Sequence, residues 1–294
     1  SSFSLGIGGL MMTTLAERTP AKRVGLAFSI LNGAGPLGAF LGPLAGGPIM
    51  DAYGFRALVV VDLVLLLGVA LALAFGYHDD FQGTNRGSLL RMAAGSVGII
   101  WRSPRLRALF PALFLAFAGW MLAITYVPLA VQALYSGRDP GTAVGVVLGV
   151  GGLVTLFLGP ALGALGDRVG HWRVLLLGMC VEVALWPLPA LADGLVTFAV
   201  AWAVLNGVAS GVFALSFTVL ANSAESETRG RVMSFAYLPV NLGFIVGPAL
   251  GSVVASGNVF TIFPLAAGIT VVGIGALVAA RRQPVARAVA KRVA

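Results

Sequence analysis

Apolar residues run along this chain in blocks long enough to cross a bilayer, separated by short polar segments. A spanning helix needs about 20 mostly apolar residues. The pattern predicts spans at 23–49, 56–77, 107–134, 142–165, 172–192, 195–221, 230–255 and 258–281, about eight in full, with a partial one over 1–16. The long polar interval 78–106 carries Leu89, Leu90, Ala93, Val97, Ile100 and Trp101 at helical spacing beside Arg91 and Arg102, which predicts a short amphipathic helix on the membrane surface. The expected fold class is all-α and integral to the membrane.

Composition points the same way. Of 294 residues 58% are apolar and only 10% are charged, where a soluble domain carries about 25% charged. Forty glycines without a collagen period fit closely packed membrane helices. The net charge of +8 does not point to nucleic acid, because the basic residues fall between apolar runs and form no basic face on a soluble scaffold. A single cysteine, Cys180, and two distant histidines, His78 and His171, offer no metal cluster and no thiol pair, so neither metal nor cofactor is expected. No group of His, Asp and Glu converges at one depth, which argues against an integral-membrane enzyme.

Numbering the loops alternately places Arg18, Lys22, Arg23, Arg86, Arg91, Arg102, Arg105, Arg107, Arg168, Arg173, Arg229, Arg231 and the basic tail from Arg281 on one side, leaving Arg56 and Arg138 on the other. The positive-inside rule then puts the 78–106 loop and the C-terminus in the cytoplasm.

The chain also repeats itself. At an offset of 205 residues, Gly25, Ser29, Leu37, Gly38, Gly42, Pro43 and Gly46 meet Gly230, Ser234, Leu242, Gly243, Gly247, Pro248 and Gly251. Projecting the helix that begins near Arg107 back by the same offset falls upstream of Ser1. Roughly the first three and a half helices of a twelve-span protein are therefore expected before this sequence. The organisation expected is an incomplete first half over 1–77, a cytoplasmic linker with its amphipathic helix over 78–106, a six-helix half over 107–281 and a basic tail over 282–294.

Two motifs carry a family resemblance. Residues 163–175, Gly-Ala-Leu-Gly-Asp-Arg-Val-Gly-His-Trp-Arg-Val-Leu, resemble the G-x-x-x-D-R-x-G-x-x-R loop of the major facilitator superfamily. Residues 38–47, Gly-Ala-Phe-Leu-Gly-Pro-Leu-Ala-Gly-Gly, are similar to the G-x-x-x-G-P-x-x-G-G motif of that superfamily's drug/proton antiporters. His171-Trp172 stands where the family usually shows basic residues, and Ser252 replaces the last glycine of the second copy. The resemblance implies a multi-pass, monomeric secondary transporter of the inner membrane. It would work by alternating access, with protons, a small-molecule substrate and the lipid bilayer as its partners, and would drive proton-coupled efflux of small amphipathic compounds. A proton-coupled nutrient importer and a non-transporting sensor on the same fold stay open as alternatives.

Within the first motif, Gly163 and Gly170 let the backbone turn, while Asp167 can accept from the amides of a helix start or pair with Arg. With Arg168 and Arg173 it is expected to form a gating loop against the helix at 23, where Arg23 stands; a plain tight turn is the other reading. The resemblance implies that the helices at 23, 107, 142, 195 and 230 line the cavity, and on them Asn32, Trp120, Tyr126, Asn206 and Asn241 lie nearest mid-depth. These are candidate substrate-cavity residues, interhelical hydrogen bonding being the alternative. Glu182 is the deepest acid and a candidate for proton coupling, although the resemblance puts its helix at the periphery. Gly38, Gly42 and Gly46 recur every fourth position beside Pro43 and Gly47. With their second-half counterparts Gly247 and Pro248 they form a helix-packing motif. The helix at 23 is expected to meet the helix at 142 through that face, against Gly145, Gly149, Gly159 and Gly163.

Overall fold

The apolar blocks form long helices whose ends fall where backbone chemistry dictates. The computed structural model describes residues 24–76, 98–225 and 228–283; the partial span 1–16, Arg23, most of the amphipathic segment and the tail beyond Gln283 lie outside the described residues. The helices are α1 (Val24–Gly76), α2 (Pro104–Leu134), α3 (Pro140–Val169), α4 (His171–Leu185), α5 (Leu195–Ser223), α6 (Arg229–Ser234), α7 (Leu238–Ala255) and α8 (Ile262–Arg282), with 3-10 turns at Leu188–Leu191 and Val259–Thr261. Among the described residues seven segments are long and apolar enough to cross a membrane.

Three boundaries differ from the sequence expectation. The gap placed at 50–55 is a single-residue break inside α1, where Gly54 takes φ 78° and ψ 173° and the helix resumes at once. That conformation is open to glycine alone. Laid straight, the 53 residues of α1 would reach roughly 80 Å at 1.5 Å per residue, far beyond a hydrocarbon core of about 30 Å; the break instead sets Leu58 against Gly46, so the two arms lie side by side. The span expected at 230–255 is interrupted between α6 and α7. Pro239 has no N–H to continue a helix and instead sits in the first turn of α7. The span at 107–134 starts earlier, at Pro104, because Ser103 caps it: its hydroxyl accepts the Leu106 amide at 3.4 Å and proline follows in the first turn.

In lipid, helices gain little from burying leucine against leucine, so close approach through small residues does the joining. Gly243, Gly247 and Gly251 of α7 lie on α2. A Cβ at Gly243 would stand 3.1 Å from the Ala118 nitrogen and one at Gly247 2.7 Å from that of Leu122, while Gly251 takes the ring of Tyr126. Between the remaining helices lie two apolar layers. Leu109, Leu175, Val219, Leu220 and Leu277 fill one, and Leu122, Val127, Trp186, Trp202, Phe198 and Phe263 the other. Trp186 donates its indole hydrogen to Thr270 at 3.2 Å, so this buried polar pair is satisfied. Arg105 fastens the first helix of this unit to its last, donating to the carbonyl oxygens of Gln283 at 3.1 Å and Arg281 at 3.3 Å while lying over the Trp172 ring. The arm after Gly54 exposes Val60, Leu63, Val64, Leu65 and Leu66, the surface of a helix that meets acyl chains.

Candidate functional site

Near the middle of α2 and α5 the structure joins two of the expected cavity residues. Trp120 donates its indole hydrogen to the Asn206 side-chain oxygen at 3.2 Å, and both are half-buried. Gly151 of α3 brings its backbone against this pair. A Cβ there would stand 3.0 Å from Trp202 Nε1 and 3.3 Å from Asn206 Nδ2. Trp202 is fully buried, and its indole nitrogen has no hydrogen-bond partner among the described residues. From Trp120 an aromatic series continues along α5: Trp120 to Phe213 at 6.3 Å, Phe213 to Phe217 at 5.0 Å, and Phe217 to Tyr237 at 4.9 Å, with Phe117 edge-on to Phe213 at 5.2 Å. Phe213, Phe217 and Tyr237 were not picked out from sequence. Their signal was present, because Asn206, Phe213 and Phe217 stand at i, i+7 and i+11 on one helix face.

The other expected cavity residues do different work or lie apart. Tyr126 spends its hydroxyl on the Pro248 carbonyl of α7 at 2.9 Å, an interhelical bond. Asn241 is half-buried in the first turn of α7, and no hydrogen bond among the described residues joins it to the Trp120–Asn206 pair. The side chain of Asn32 lies outside the described residues.

A seam joins α1 to α3, but its α1 face is not the expected one. On α3 the participants are Gly141, Gly145, Gly149 and Gly152; on α1 they are Ala39, Phe40, Pro43, Leu44, Gly47 and Asp51. Gly145 meets the Pro43 carbonyl and Gly47 meets that of Gly141, while a Cβ at Gly149 would stand 2.7 Å from Leu44. Among the described residues a Cβ at Gly38 or Gly42 would meet nothing within 4 Å, and Gly46 faces Leu58 across the Gly54 break. Gly159 faces Ser210 of α5 and Gly163 faces open space, so neither belongs to the seam. The α1 face in this seam is the Ala39–Pro43–Gly47 stripe, one residue on from the expected Gly38–Gly42–Gly46 stripe. Through the 205-residue offset, Gly38 and Gly42 correspond to Gly243 and Gly247, whose neighbour is α2.

One end of the seam is closed by charge. Both oxygens of Asp51 accept from the start of α3, Oδ1 from the Gly141 amide at 2.8 Å and Oδ2 from the Thr142 amide at 2.6 Å. The local N-cap of α3, Asp139, makes no side-chain bond to its own helix.

At the opposite end of α3 the expected loop shrinks to one residue: Gly163 to Val169 are the last turns of α3, α4 starts at His171, and the chain turns at Gly170, with φ 103°, and not at Gly163. Asp167 does not meet helix amides or an arginine among the described residues. It lies 2.9 Å from His171 Nε2, one of the two residues that depart from the family pattern. Arg168 and Arg173 are exposed. Glu182 is 4% exposed, on the face of α4 that also buries Leu175, Gly178 and Met179. That face packs on Val212 of α5 and Gly273 of α8, and no hydrogen bond to the Glu182 carboxyl exists among the described residues.

A family model described as the Major Facilitator Superfamily matches residues 1–181 and again 139–294. Among curated proteins the chain is similar to the multidrug resistance protein MdtG of Citrobacter koseri, 28% identical over 272 residues that cover 87% of this chain and 63% of that protein. It is 26% identical to the Escherichia coli MdtG over 265 residues, at the same two coverages. The chain thus spans 63% of the length of these relatives. Among solved structures, the crystal structure of the E. coli fucose:proton symporter has a TM-score of 0.61 at 17% identity, covering 90% of this chain and 70% of that one, a likeness of fold.

Proposed function

We propose, from the premise that the chain belongs to the Major Facilitator Superfamily, that this transporter exports small amphipathic compounds in exchange for protons by alternating access. The observation that carries the reading is the Trp120–Asn206 pair with its aromatic series. The series has no fixed charge. Stacked aromatic faces accept planar apolar bodies and attract cations, and one amide at mid-depth orients a polar substituent. MdtG relatives named for multidrug resistance support the same direction.

The seam supplies the moving contact. By the positive-inside rule its Asp51–Gly141 end faces away from the cytoplasm and the 163–173 loop faces inward. A contact closed at the first end and a loop bearing Asp167 at the second suit two halves that rock about a central site. Pro36, Pro43 and Pro48 interrupt the hydrogen-bond ladder of α1 along the seam and let it bend.

The test uses everted vesicles carrying the full-length protein and a fluorescent amphipathic cation. Proton-driven accumulation that falls in Asn206→Ala and Trp120→Ala at equal abundance is the expected result. Movement in the opposite sense would make the protein an importer, and binding without gradient-dependent flux would make it a sensor.

A further inference from the structure

Where the ends of five helices meet at one membrane face, the structure holds a cavity of about 370 Å³ lined by Arg105, Val169, Gly170, His171, Trp172, Arg173, Val219, Asn222 and Arg281. Those positions are the start of α2, the α3–α4 junction, the last turn of α5 and the end of α8, so the cavity lies at headgroup level and not at mid-depth. Among the described residues no carboxylate lines it, and three guanidinium groups do. Asp167, the nearest acid in sequence, is directed at His171.

We propose that this cavity binds the phosphate of an anionic phospholipid. Arg105 is held rigid by its bonds to the Gln283 and Arg281 carbonyls and by the Trp172 ring 5.7 Å from its Cζ. One of its terminal nitrogens makes no hydrogen bond among the described residues. Arg173 and Arg281 are exposed and extend the positive wall from α4 and α8. The His171 and Trp172 amides that open α4 add donors, because the first residues of a helix have no intrahelical acceptor; the next amide, of Arg173, already donates to the Gly170 carbonyl. Asn222 supplies a neutral polar contact, while Trp172, Val169 and Val219 form the apolar walls that the glycerol and first acyl carbons need. A free phosphate would use the cations and leave that apolar surface unused; a lipid uses both. Basic pockets between helix ends recognise anionic headgroups in this way. The inference does not depend on cargo or direction of transport.

The experiment measures lipid retained by the purified full chain, by native mass spectrometry after exchange into micelles doped with phosphatidylglycerol or phosphatidylcholine. Phosphatidylglycerol should be retained preferentially. Arg173→Gln and Arg281→Gln should each cut that retention about fivefold, the fold-change that ~1 kcal/mol per cation at an anionic surface gives, with phosphatidylcholine retention unchanged. Arg168→Gln, an exposed cation not lining the cavity, should have no such effect and reports on folding and on bulk charge together. Equal retention of the two lipids, or equal losses in all three variants, would overturn the proposal. So would displacement of phosphatidylglycerol by millimolar inorganic phosphate, which would make the site one for free phosphate.

Discussion

The Asp51 carboxylate accepts the amide hydrogen of Thr142 at 2.6 Å across 91 residues of sequence. A helix start leaves amides without partners and carries partial positive charge, so an acid from another helix both satisfies and neutralises it. The contact is therefore an N-cap supplied across the seam between the two parts of the molecule.

Removing that acid should loosen one end of the seam. In Asp51→Ala, with Cys180→Ser and a reporter cysteine at Leu44, an impermeant maleimide should label faster than in the Asp51 parent. Asp51→Asn, which keeps one acceptor oxygen, should fall between. The bond needs the ionised carboxylate, so the contact is fully present above the ordinary carboxylate range and is lost only as pH falls into it. Labelling of the Asp51 parent, taken at each pH relative to a fully exposed reference cysteine so that the thiolate fraction cancels, should thus be flat from about pH 8 to about pH 5. A rise within that window would remove Asp51 as the controlling group.

The phase of the seam makes a paired prediction. Gly145→Leu drives a side chain into the Pro43 carbonyl, an overpacking that costs about 1–3 kcal/mol. It should separate α1 from α3 and lower the yield of a Leu44–Gly149 cysteine cross-link. At Gly42 an added Cβ meets nothing within 4 Å among the described residues, so Gly42→Leu should leave that cross-link intact. Equal losses in both would show that the seam runs on the Gly38–Gly42 face after all.

At the central pair, a double-mutant cycle of Trp120→Phe and Asn206→Leu should give a coupling of about 0.6–1.7 kcal/mol, the range for interhelical bonds in bilayers. Gly151→Ala should impair flux at normal abundance, because its methyl would stand 3.0 Å from Trp202 Nε1. Additive single effects would mean that the bond is not formed in the membrane.

Asp167→Asn should change thermal stability little, since the Asp167 side chain is 75% exposed and exposed ion pairs contribute about 0–1 kcal/mol. Flux should nevertheless fall if the loop biases one state of the cycle. Unchanged flux at equal abundance would reduce the loop to a turn.

Glu182→Gln should leave membrane abundance and the pH dependence of flux intact, because the group is 4% exposed among α4, α5 and α8 and has no polar partner among the described residues. Loss of the pH dependence at normal abundance would make Glu182 the coupling acid.

The all-helical membrane fold and most of its long apolar helices were legible, because a bilayer enforces length. The phase of the seam was not, since Gly38–Gly42 and Ala39–Pro43–Gly47 are adjacent stripes of the same helix and nothing local ranks them. Asp51 was missed for a related reason: the chain offers Asp139 directly before Pro140, yet the tertiary fold brings a cap from another helix. Trp120 and Asn206 were visible as polar groups at depth, while Phe213 and Phe217 resembled ordinary apolar filling until their spacing from Asn206 was joined to the contacts.

Arg105 ties the opening of α2 to the last carbonyls of α8, residues 176 and 178 positions apart. The six-helix unit is thereby a closed ring whose two chain ends meet at one membrane face. In a ring the starting point is arbitrary. A short linker between those ends, with new termini cut in the loop at Asp193–Gly194, would thread the same helices in a different order around the same contacts. The architecture resides in the cyclic order of its neighbours, and the linear order in which the helices are synthesised is one of several routes to it.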